Sequence, residues 1–100
     1  LWLKVSVTAE VVPTALEFAD AVRDAVIQRL ETFLHPLTGG VSRQGWEFGR
    51  KPYESDMYRL IKAIDRVNYV RSISIKIEPE LFVYPEHFLI FSGTHTVNLV

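Results

Sequence analysis

The chain contains no cysteine, so a disulfide framework and a thiolate metal or nucleophile site are both excluded. It has no run of Lys or Arg. Its 11 basic and 12 acidic residues are interspersed and leave a formal net charge of -1, which disfavours a phosphate-binding stripe and hence nucleic acid. No apolar run approaches the length of a membrane span, and no signal-peptide pattern is present. Glycine is scarce outside one stretch: four of the five glycines fall between Gly39 and Gly49. The catalytic fingerprints are also missing. There is no phosphate loop, no dinucleotide-binding glycine pattern and no Gly-Xaa-Ser-Xaa-Gly elbow.

What is present describes one small domain. The 100 residues are 48% hydrophobic and 23% charged, enough for a single core. The chain begins Leu1-Trp2-Leu3-Lys4-Val5, already inside a strand pattern, and stops at Val97-Asn98-Leu99-Val100, still apolar. Natural termini are usually polar and frayed. The expectation is a single domain, residues 1–100, excised from the C-terminal part of a longer protein.

Periodicity sets the element order. Residues 1–12 alternate, with Leu1, Leu3, Val5, Val7, Ala9 and Val11 on one face, which predicts a half-buried strand. Trp2 falls on the other face and calls for a second surface to cover it. Pro13 ends the strand, and Thr14-Ala15-Leu16-Glu17 has the form of a capping box. A helix follows to about Leu34, with Phe18, Val22, Ala25, Val26, Leu30, Phe33 and Leu34 as its apolar stripe; Leu30 and Phe33 are the expected core anchors. Pro36 stops it. A second helix over about 54–65 carries Met57, Leu60, Ile61 and Ile64 inward, with Asp56 in its first turn. A turn around Arg66-Val67-Asn68 leads to a strand over 69–78. A further strand starts at Phe88, Ser92-Gly93 forms a turn or bulge, and His95, Val97 and Leu99 alternate with polar neighbours. The order β-α-α-β-β predicts an α+β two-layer sandwich, two helices on one face of a small, mostly antiparallel sheet.

The candidate chemistry is sparse. His35, His87 and His95 lack convergent acidic or thiolate partners, so the expectation is a helix-end histidine and two sheet-surface histidines, with no metal. Glu78 with Glu80, and Glu54 with Asp56, sit at loops and helix starts, where carboxylates usually cap or are solvated. The long connection is the informative part. It joins glycines to Trp46, Phe48, Arg43, Arg50 and Lys51, a composition typical of interface anchors. Two readings stand, and both can hold. The loop folds on its own domain as an Ω-loop, with Trp46 covering the sheet or a helix end, or it meets a partner. The interface candidates are Trp46, Phe48, Arg50, Arg43 and Trp2.

Four stretches carry a resemblance. They are Phe33-Leu34-His35-Pro36-Leu37-Thr38-Gly39-Gly40, Gly45-Trp46-Glu47-Phe48-Gly49-Arg50, Tyr53-Glu54-Ser55-Asp56-Met57-Tyr58 and Val67-Asn68-Tyr69-Val70. Together they resemble the C-terminal part of J-like baseplate assembly (wedge) proteins of contractile phage tails and related injection systems. The closing Ser92-Gly93-Thr94-His95 and its apolar strand are similar to the family's end. The likeness spans most of residues 14–100. One departure is Arg66, where the family pattern has glycine before the valine. The resemblance implies a structural protein, not an enzyme, without cofactor or small-molecule substrate. Its partners would be other baseplate subunits and copies of itself, with no nucleic acid and no membrane. Its place would be the baseplate of a virion or phage-tail-like particle, assembled in bacterial or archaeal cytoplasm. The alternative expectation is a small ferredoxin-like ligand-binding or regulatory domain.

Overall fold

The computed structural model describes residues 2–35, 39, 53–79 and 88–100. The long first strand, β1 (Trp2–Pro13), is central. On one side it pairs antiparallel with β2 (Val67–Glu78), from Lys4 opposite Glu78 to Pro13 opposite Val67. On the other side lie two short strands, β3 (Leu89–Ser92) and β4 (Thr96–Leu99), both parallel to β1. The sheet is therefore mixed, antiparallel along its longer pairing and parallel along its divided edge.

The alternation in β1 decides the layers. Leu3, Val5, Val7, Ala9 and Val11 are all fully buried, and they form one core with Val22, Val26, Leu30 and Leu34 from the first helix and Met57, Ile61 and Ile64 from the second. The two helices, α1 (Ala19–Phe33) and α2 (Glu54–Lys62), share this face: α1 lies against β4 and β1, α2 against β2. The α+β two-layer order predicted from periodicity is the one observed. Two bulges in β2 keep its apolar residues turned to the helices. The register shifts between Glu10 and Val11 and between Val12 and Pro13 bring Val70 and Val67 opposite Val11 and Pro13, in line with Ile73 opposite Ala9.

Three local expectations need correction. The Thr14–Glu17 capping box does not form. A 3-10 turn over Leu16–Phe18 precedes α1 without a side-chain cap, and the Thr14 amide instead donates to the Arg66 carbonyl at 2.9 Å. Tertiary contact at the sheet end has taken the place of local capping. Phe33 is half-buried at the core's margin, whereas Leu30 is fully buried. The turn after α2 also falls earlier than Asn68. The left-handed residue is Arg66, at φ 69°, and β2 starts at Val67. At the start of α2, the Asp56 carboxylate accepts the Tyr53 amide at 3.3 Å, where a negative charge also suits the helix dipole.

Candidate functional surfaces

The helices cover one face of the sheet, and among the described residues nothing covers the other. Even-numbered residues of β1 occupy that open face, and its chemistry changes along the strand. At one end stand Trp2 and, from β3, Leu89 and Phe91. Trp2 is 52% exposed and meets Phe91 edge to face, ring centroids 6.2 Å apart. The middle is polar. Lys4 pairs with Glu78 at 3.6 Å, and the Ser72 hydroxyl donates to Glu10 at 3.0 Å. At the far end Tyr69, opposite Val12, is 50% exposed. Ten residues of strand separate the two aromatic ends, roughly 33 Å.

Tyr69 also borders a shallow open groove of ≈ 570 Å³ between α2 and β2, lined by Ser55, Tyr58, Arg59, Lys62, Tyr69 and Val70. The Lys62 ammonium is committed to the Asn68 carbonyl at its rim. Two phenol rings and two cations beside an apolar floor suit a side chain or short segment laid on the surface. They do not enclose a small molecule as ligand pockets do.

The third feature is polar and buried. His95 is only 9% exposed, which corrects the expectation of a sheet-surface histidine. Its Nδ1 accepts the Val7 amide at 3.1 Å, and its Nε2 lies 2.6 Å from the Ser92 hydroxyl. An acceptor at Nδ1 places the proton on Nε2, so the ring donates to Ser92. A histidine that activates a serine must accept from it, so this pair has the opposite polarity to a nucleophile and its base. Burial holds the His95 pKa below its ordinary value, against a weaker opposing pull from Glu31.

The chain matches neither a known family model nor a curated protein sequence. Its site residues are therefore placed by geometry alone.

Of the interface candidates, Trp2 lies where alternation put it, on the open face. Trp46, Phe48, Arg50 and Arg43 lie outside the described residues, as do His87, Glu80 and the remainder of the loop except Gly39. Gly39 shows why the loop starts with glycine. It is buried, its amide donates to the His35 carbonyl at 2.9 Å, and a Cβ there would collide with the carbonyl oxygens of Phe33 and His35. Sequence reasoning did not single out Phe91, Tyr58 or Tyr69. For Phe91 the signal was available: in a strand where Phe88 and Ile90 turn inward, Phe91 must turn outward with Trp2. Among the described residues, no three His, Asp or Glu side chains converge as metal ligands would.

Proposed function

We propose that this domain is a structural module that docks on neighbouring protein subunits, in the manner of the wedge proteins of a contractile tail baseplate. The observation that carries this reading is the open sheet face. Among the described residues the helices cover one face of the sheet and nothing covers the other, and that other face has a paired tryptophan and phenylalanine at its margin. Aromatic residues with a polar surround are what protein contacts use. Arg66 supports the family resemblance independently. It stands where the family pattern has glycine, and its φ of 69° is the backbone region that glycine favours. Gly39, whose Cβ position is filled by main chain, supports it in the same way.

On this reading the partners are other baseplate subunits and further copies of the chain, the location is a phage tail or phage-tail-like particle, and no cofactor or substrate is involved. The test uses Trp2→Ala, Trp46→Ala and Arg50→Ala, each measured for melting temperature and for incorporation into particles assembled with the neighbouring gene products. Lost incorporation with little change in melting temperature is the expected result for at least one of them. Unchanged incorporation in all three overturns the proposal. The competing reading, a small ligand-binding or regulatory domain, draws on the groove beside Tyr58 and Tyr69. It predicts that Tyr58→Ala, and none of the other three, abolishes function.

A further inference from the structure

The edge of the sheet beside β1 is interrupted at a single place. Val5 faces Ser92 and Thr8 faces Thr96, so two residues of β1, Ser6 and Val7, stand opposite three, Gly93, Thr94 and His95. The extra residue is a bulge, and it has two effects. It restores the parity that turns Val97 to the helices after Ile90, and it pulls the main chain of residues 93–95 out of the ladder. The ladder resumes on either side. The Gly93 amide donates to the Val5 carbonyl at 2.8 Å, and the Val100 amide to the Val11 carbonyl at 3.0 Å. Between them, the Val7 amide points at the same edge and needs an acceptor. The imidazole Nδ1 of His95 supplies it at 3.1 Å, in the position a main-chain carbonyl would otherwise take. A side chain that can be protonated thus serves as a rung of the sheet.

We propose that His95 is an acid-sensitive latch: protonation at Nδ1 turns this rung from acceptor to donor and frees the β3–β4 edge from β1. The proton lands on the one atom that the Val7 N–H needs, so two donors face each other in a buried site. The bond from Nε2–H to Ser92 survives, because that nitrogen carries its proton in both states. Without the rung, the edge is held by two four-residue strands.

Among the described residues, the charged groups around the ring do not counteract this. Glu31 of α1 favours the imidazolium, yet burial outweighs it. Arg23 of α1 reaches β4 as well, donating to the Val97 carbonyl at 3.4 Å while pairing with Asp20 at 3.1 Å. The β1 charges, Lys4 and Glu10, lie on the opposite face of the sheet with their partners Glu78 and Ser72. From β3 the ring meets only a neutral hydroxyl.

The test is hydrogen exchange and imidazole ¹⁵N NMR of the domain between pH 8 and pH 4.5. At pH 8 the His95 Nδ1 should be unprotonated and its Nε2 protonated. As the ring titrates, the protection factors of Val7, Gly93 and Val100, taken relative to the intrinsic exchange rate at each pH, should fall by about tenfold or more, the scale expected for one lost buried hydrogen bond. The Ser6 and Thr8 amides face β2 by strand alternation and should keep their protection. In His95→Gln the side-chain oxygen can accept at every pH, so the pH dependence at Val7 should vanish. A proton on Nδ1 at pH 8, or a Val7 amide indifferent to the ring's titration, overturns the proposal. So does loss of protection at Ser6 and Thr8 in step with Val7, which would mean global unfolding. The wild-type measurement alone decides the matter if His95→Gln does not fold.

Discussion

The guanidinium of Arg66 lies 4.0 Å over the ring of Phe18. This contact joins the turn after α2 to the entrance of α1, at the point where the Arg66 carbonyl receives the Thr14 amide. One residue therefore connects two helix boundaries while holding a left-handed backbone. A double-mutant cycle with Arg66→Ala and Phe18→Leu should show a coupling of about 0.5–1 kcal/mol, the range for a partly exposed cation–π pair. Arg66→Gly should be less harmful than Arg66→Ala by roughly 1 kcal/mol, because glycine adopts positive φ without strain. Equal losses in urea melts would assign no cost to the backbone geometry.

Gly93 is required by space. A Cβ there would overlap the Ser6 hydroxyl and approach the Lys4 side chain at 2.8 Å. Gly93→Ala should cost about 1–3 kcal/mol, as overpacking does. Adding Ser6→Ala should recover part of the loss, since it removes the nearest obstacle. No recovery in the double variant would place the strain in the main chain.

The core gradient along α1 can be measured. Leu30 is fully buried, and Leu30→Ala should cost roughly 2–5 kcal/mol. Phe33 sits at the margin of the same cluster, so Phe33→Ala should cost less than Leu30→Ala despite the larger side chain. The reverse order in chemical denaturation would show that Phe33 anchors the core.

Stability should depend on pH through His95. Its folded pKa lies below the ordinary 6.5, so the unfolded chain binds the proton more readily. The contribution is complete above about pH 6.5 and is lost as pH falls from there through the lower folded value. His95→Gln should flatten that part of the stability profile. Denaturation midpoints measured from pH 8 to pH 5 would check it, and a wild-type profile with no slope in that window would refute the assignment.

Much of the fold was legible because burial imposes a period. The two-residue repeat of β1 and the Val22–Val26–Leu30 stripe of α1 named their own buried faces. Even the Ser92–Gly93 irregularity was visible, since Val97 and Ile90 cannot share a face without an extra residue between them. What stayed hidden depended on contacts distant in sequence. Thr14 has a local capping partner in Glu17, but its amide found Arg66 across the fold. His95 has the pattern of a surface histidine until the backbone gap opposite Val7 is known. Nothing in the local pattern says that the last edge runs parallel to β1. The open-face aromatics were half legible: Trp2 was evident, while Phe91 needed the register of β3. Trp46, Phe48, Arg50 and Arg43 were chosen on composition and motif, and they lie outside the described residues.

The placement of β1 at the centre of the sheet has a kinetic consequence. Val7 and His95 meet across 88 residues of chain, while β2 reaches β1 over a shorter connection. The extra loop-closure entropy is small, but β3 and β4 offer only four paired residues each against ten for β2, so the parallel edge should zip last. On the ribosome, β1 would emerge early and hold one row of main-chain donors and acceptors unsatisfied until residues 89–99 have cleared the exit tunnel. An exposed row of that kind is a template for pairing with another nascent chain. The yield of this domain should then respond to translation speed and chaperone supply.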